Sequence, residues 1–276
     1  MSERGSEAGA AAVVAPTTMI ASAQAAAPAL APPIPPRSGA ALPPTSTARF
    51  STAARSTGAP CPRSTRPERH ALTLPAALVA AGVAVAGWAV LVLHVAGALH
   101  TPAVDPLVHT VSDYVLLPGG HLVLAIAAGA LALGATVLAV AARRAGGSGT
   151  AVGLLGSWAA AMVVAGVVPT NVPGTPPDLA AAVHRYAGAW IFAVLPVAVL
   201  LLARGPAVRA TARRRVVALA LVTAALSGAF LLAHLPIVVA GSPAFPLLGG
   251  VERVLYGAVT ALLITTAVAL RPGAAR

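Results

Sequence analysis

The 276-residue chain has no lysine, a single cysteine (Cys61) and seven acidic residues. One cysteine excludes an intrachain disulfide and a thiolate metal site. Charged residues make up 9% of the chain, far below the share of about 25% that a soluble domain needs for its surface. The net charge of +11 invites a nucleic-acid reading, but no recognition motif accompanies it. The 18 basic residues, all arginine, stand in an N-terminal tail or between apolar runs, so no nucleic-acid partner is expected. The lack of lysine beside so much alanine points to a GC-rich bacterial genome.

What the chain has in abundance is apolar sequence. Hydrophobic residues reach 58% and the mean hydropathy is +0.85, the range of polytopic membrane proteins. Residues 1–70 form a low-complexity tail whose many prolines break any helix and which offers no aromatic core. It is expected to be disordered and cytoplasmic, and an upstream misassigned start codon would also account for it. The domain 71–276 holds six runs of membrane length, about 74–99, 119–142, 149–169, 180–203, 215–240 and 251–270, each near the roughly 20 residues a spanning helix requires. The fold class is therefore all-α, a bundle of six transmembrane helices. With six crossings, sixteen arginines fall on one side and only Arg185 and Arg253 on the other. The positive-inside rule then places both termini in the cytoplasm of a cell-membrane protein. Small residues four apart (Ala80 and Ala84, Gly156 and Ala160, Ala224 and Gly228) are candidate sites of close helix approach. Pro196 and Pro236 interrupt runs four and five.

The four acids outside the tail, Asp105, Asp113, Asp178 and Glu252, all fall toward the extracytoplasmic end, with Arg185 and Arg253. A charge at that depth needs a partner, because an unpaired one in hydrocarbon costs several kcal/mol. Arg185 is expected to pair with Glu252 or Asp113. Between runs one and two, DPLVHTVSDYVLLPGGH (Asp105–His121) is too polar to span and too apolar to be an open loop. It reads as an interfacial turn of helix, capped by Ser112 or Asp113 and broken by Gly119 and Gly120. Asp105, Ser112, Asp113, Tyr114, His184, Arg185, Glu252 and Arg253 are the candidate polar site. His94, His184 and His234 lie at similar depth, and three imidazoles could hold zinc. No two of them have the i, i+3 or i, i+4 spacing that fixes a ligand pair on one helix, so no metal or other cofactor is expected.

The residues Asp105-Pro106 with Thr110-Val111-Ser112-Asp113-Tyr114 resemble the first signature of a bacterial six-helix membrane family catalogued as domain of unknown function 998. Pro169-Thr170, Pro173-Gly174, His184-Arg185-Tyr186-Ala187 and the later Leu195-Pro196 are similar to its second, and Glu252-Arg253 to the start of its last helix. The resemblance covers about residues 74–271. The chain departs from it at Asn171, where an acid is usual, and at His109, where a charged residue is usual. Both departures weigh against an acid–base role for those loops, and the resemblance implies no activity.

Two functions remain open at this level. One is a membrane protein whose polar extracytoplasmic pocket binds a lipid headgroup or small solute. The other is a membrane-embedded hydrolase or lipid-modifying enzyme using Asp113, His184 and Glu252, with or without a metal. No HExxH or GxSxG spacing is present, and no inverted repeat suggests a transporter. The sequence does not decide whether the protein is an enzyme. It names membrane lipids as partners and leaves the oligomeric state open.

Overall fold

The computed structural model describes residues 73–100, 104–171, 175, 176, 178–240, 242 and 245–271. The tail expected at residues 1–70 lies outside the described residues, as does Pro173-Gly174. Six long helices follow one another: α1 (Leu74–His100), α2 (Gly120–Arg144), α3 (Gly149–Val167), α4 (Leu179–Arg204), α5 (Ala210–Ala240) and α6 (Leu248–Ala269). All six are long and apolar enough to cross a membrane. Exposed Leu91, Leu133, Leu221, Leu232 and Val254 ring the bundle, an apolar surface that hydrocarbon covers and water would not. The protein is a multi-pass integral membrane protein, and these side chains meet lipid.

Each helix packs beside the next, and α6 returns to α1, closing a ring. Short loops enforce that order. Ser148 caps α3 by accepting from the Ala151 N–H at 3.2 Å, and Asp178 caps α4 by accepting from Ala181 at 2.8 Å. At the end where α1 begins and α6 ends, the α4–α5 loop joins the residues after α6. The Arg209 N–H donates to the Ala269 carbonyl and the Arg271 N–H to that of Ala207, so backbone bonds tie the end of α6 to the α4–α5 loop. α5 begins five residues before the apolar run does, because Arg213, Arg214 and Arg215 lie within the helix and not in the loop.

Close approach occurs at glycines other than the small pairs picked from sequence. A Cβ on Gly82 would lie 2.6 Å from the Ala130 carbonyl oxygen, and one on Gly166 2.8 Å from the Ala128 Cβ, whereas one on Gly156 or Gly228 would meet nothing within 4 Å. The pairs Gly156/Ala160 and Ala224/Gly228 do not mark helix crossings; α1–α2 and α2–α3 cross at Gly82 and Gly166.

The two ends of the bundle differ. Toward the end where α1 begins the ring is filled: Val79, Leu138, Leu155, Leu195, Leu202 and Leu262 are fully buried. Trp158 on α3 donates its indole N–H to the Ile191 carbonyl at 2.8 Å, in the part of α4 that Pro196 interrupts. Toward the other end the helices enclose a cavity.

Candidate functional site

Before α2, Val111–Leu116 forms a short 3-10 helix, η1, lying across that other end of the bundle. Its N-cap is Thr110, not Ser112 or Asp113. Asp113 instead reaches back from the third position, accepting from the Thr110 N–H at 2.7 Å and from the Thr110 hydroxyl at 2.9 Å. The Ser112 hydroxyl spends its hydrogen bond on Thr110, at 2.8 Å. Gly119 takes a left-handed φ of 75° and turns the chain into α2. The short helix already ends at Leu116, with Leu117 as its C-cap, so the two glycines open α2 and do not themselves break the turn.

This segment is clamped onto the start of α6. Glu252, 5% exposed, accepts from the Val111 N–H at 2.6 Å. The Gly250 N–H donates to the Leu107 carbonyl at 3.0 Å. Arg253 donates from Nε to His94 Nε2 at 2.8 Å and from one terminal nitrogen to the carbonyls of His109 (2.9 Å) and Gly249 (2.8 Å). Its other terminal nitrogen reaches the Tyr114 hydroxyl at 3.2 Å, and the guanidinium lies 5.6 Å from the Tyr114 ring centroid, within cation–π range. His94 Nδ1 is 2.7 Å from the Val90 carbonyl. A carbonyl only accepts, so Nδ1 carries the hydrogen and Nε2 offers its lone pair to Arg253. One arginine thus ties α1, η1 and α6 together. The backbones meet so closely that a Cβ on Gly249 would collide with the His109 carbonyl oxygen and stand 2.7 Å from that of Pro106. The need for that approach explains why α6 opens on Gly249-Gly250, three residues before its apolar run.

Beneath η1 lies the cavity, about 990 Å³ and lined by all six helices, with Ser112, Asp113, His184, Arg185, His234 and Glu252 at its polar parts. Its inner wall is aromatic. Phe192 packs edge-on against Phe230, centroids 5.1 Å apart, and against Tyr256 at 5.3 Å. His184 Nδ1 is 2.8 Å from the Val168 carbonyl and His234 Nδ1 is 3.1 Å from that of Phe230. By the same rule both rings carry the hydrogen on Nδ1, and Nε2 is left as an acceptor. One Glu252 oxygen is bonded to Val111; the other takes no protein donor among the described residues.

The eight residues singled out from sequence therefore separate into three groups. Tyr114 and Arg253 belong to the clamp, with Arg253 also lining the cavity. Asp105 holds the loop before it, accepting from the Leu107 N–H at 2.8 Å while its own N–H donates to His109 Nδ1 at 3.0 Å. Ser112, Asp113, His184, Arg185 and Glu252 line the cavity. The expected pairing of Arg185 with Glu252 or Asp113 is not what the structure holds. Arg185 is exposed and donates to Asn171 Oδ1 at 2.9 Å, an amide standing where the resembled pattern has an acid. His94, His184 and His234 do not converge: no three His, Cys, Asp or Glu side chains among the described residues are placed to hold one ion, because each imidazole is turned to a different helix carbonyl. Sequence reasoning missed the roles of His94, Gly249 and the Phe192–Phe230–Tyr256 wall. The Gly-Gly pair just before Glu252 was a signal for the close approach at Gly249, and no local signal pointed to His94 or the wall.

A family model described as "Protein of unknown function (DUF998)" matches residues 83–269, and the chain belongs to that family. No curated protein matches the chain, and no solved structure does.

Proposed function

We propose that this member of the family is a binding protein for an amphiphile, whose polar head enters the cavity below η1 while its apolar part lies along the helices. The observation that carries this reading is the asymmetry of the bundle, filled at one end and hollow at the other. The hollow end has apolar and aromatic walls with a few polar groups at fixed positions, the make-up of small-molecule sites. α5 supports entry from the membrane. Its buried positions Val216, Ala220, Thr223, Ser227 and Phe230 stop at Phe230. Beyond it, Leu235 and Val238 line the cavity and are also exposed. The chain is read with both termini cytoplasmic and the cavity extracytoplasmic in the cell membrane, on the strength of the arginine distribution.

The test uses Gly188 on α4, which lines the cavity and where an added Cβ would meet nothing within 4 Å. Gly188→Leu has a Cβ that meets no neighbour and carries further side-chain bulk into the cavity. Native mass spectrometry of the full chain in a neutral detergent is expected to detect a retained amphiphile on the wild type and none on Gly188→Leu, with equal thermal stability. Equal retention by both proteins would remove the cavity as the site. The hydrolase alternative has less support, since no hydrogen bond among the described residues joins Asp113, His184 and Glu252: Asp113 is bonded to Thr110, His184 to the Val168 carbonyl and Glu252 to the Val111 N–H.

A further inference from the structure

The charged side chains that line the cavity are Asp113, Glu252, Arg185 and Arg253. With histidine counted neutral and both carboxyls ionised they sum to zero, and they are not equally engaged. Arg253 is spent on the clamp, with four hydrogen bonds to groups of η1, its preceding loop, α1 and α6. Glu252 keeps one oxygen without a protein donor, although the residue is only 5% exposed. Asp113 likewise uses a single oxygen, Oδ2, on Thr110. The open acceptors therefore lie on the η1–α6 side. The open cation, Arg185, stands on α4 with one bond to Asn171. A head with net charge would leave that charge uncompensated against apolar walls, which is costly. A neutral head without charges could donate a hydrogen bond to the Glu252 oxygen, but it would place no cation beside the carboxylates and no anion beside Arg185. Tyr256 lies one turn deeper than Glu252 on α6 and forms the aromatic wall with Phe192 and Phe230. A carboxylate above an aromatic wall suits an ammonium group.

Resting on the amphiphile reading above, we propose that the cavity selects a zwitterionic head. Its ammonium meets Glu252, Asp113 and the Phe192–Phe230–Tyr256 wall, and its anionic group meets Arg185. The source is a membrane lipid and not a soluble zwitterion, because the exposed cavity-lining residues of α5 leave room for a chain.

Four probes sharing one chain separate the terms: hexadecylphosphocholine, hexadecyltrimethylammonium, hexadecyl phosphate and hexadecanol, with phosphocholine as the chainless control. Binding to the full-length protein in neutral maltoside micelles is read by native mass spectrometry. Hexadecylphosphocholine is expected to bind tightest. Glu252→Gln keeps an acceptor for the Val111 N–H and removes the charge. It is expected to weaken the zwitterionic and ammonium probes about tenfold, the equivalent of 1.4 kcal/mol, and to leave the phosphate probe unchanged. Arg185→Gln is expected to do the reverse, weakening the zwitterionic and phosphate probes only. Arg185 is exposed, so this variant tests the proposal even if Glu252→Gln fails to fold. Equal binding of all four long probes, unaltered by either substitution, would overturn the zwitterion proposal while the cavity reading survived. Phosphocholine binding as tightly as its hexadecyl form would overturn the lipid source. If no long probe bound the wild type, the amphiphile reading itself would fail.

Discussion

Replacing Arg253 by methionine keeps a long side chain in place and removes four hydrogen bonds at once. The partners left behind are His94 Nε2, the carbonyls of His109 and Gly249 and the Tyr114 hydroxyl. Bonds to a charged group are worth about 1.5–3 kcal/mol each in isolation, but four bonds to one side chain do not add. Arg253 is also only part-buried, so water from the cavity would take up some partners. The neighbouring buried carboxylate of Glu252 loses its nearest cation in the same step. Removing one member of such a buried charged set costs about 3–5 kcal/mol. For a domain of this size that is on the order of 10 °C in thermal midpoint, followed by circular dichroism of the full chain in detergent. Arg253→Lys is expected to recover little, because an ammonium cannot reproduce the planar fork. Arg185→Gln removes one exposed bond and is expected to move the midpoint by a small fraction of that amount. In a double-mutant cycle, His94→Phe and Arg253→Met should couple by about 1 kcal/mol. Equal losses for Arg253→Met and Arg185→Gln, or additivity with His94→Phe, would refute the clamp.

Two further outcomes are expected. Gly249→Ala forces a Cβ into the His109 and Pro106 carbonyls and should cost about 1–3 kcal/mol, whereas Gly250→Ala, whose Cβ would stand 3.6 Å from a Leu107 side-chain carbon, should be tolerated; equal unfolding midpoints would contradict the close approach. Cys61, the one thiol in the chain, should resist an impermeant maleimide in intact cells and react after lysis, and labelling of intact cells would reverse the orientation inferred from the arginines.

The helical frame was legible because its signal is long-range and redundant: any six runs of this length and apolarity must bury their backbone polar groups in helices when they cross lipid. Helix ends were less legible. Arg213–Arg215 at the start of α5 and Gly249-Gly250 at the start of α6 look like loop by their lack of apolar side chains, although arginine is a good helix former and the glycines pack against the loop before η1. The polar site was found as a set of residues but not as a geometry. Arg185 and Arg253 are both arginines at the cavity end of a helix, and nothing local says which is tied down. The difference arises because His94, 159 residues away in sequence, stands opposite Arg253, while the neighbour of Arg185 is an amide. The aromatic wall was hidden for the same reason. Phe192, Phe230 and Tyr256 come from three helices and share no spacing in the chain.

The clamp and the cavity depend on each other. A ring of six helices whose end is hollow has lost the side-chain packing that fixes helix positions in lipid, where no hydrophobic effect draws helices together. At the filled end, interlocked leucines and the Trp158–Ile191 bond supply that fixing. At the hollow end it has to come from the rim, and the rim is where the polar bonds lie: Arg253 holds α1, η1 and α6, while Glu252 holds η1 from α6. Glu252 serves both purposes with different oxygens, one bonded to the Val111 backbone and one without a protein donor. A side chain so placed links ligand binding to the seating of η1. A head that draws on the free oxygen also changes the charge felt by the Val111 bond, so occupancy of the cavity and closure of the segment above it are expected to be thermodynamically coupled, each altering the other by the same free energy.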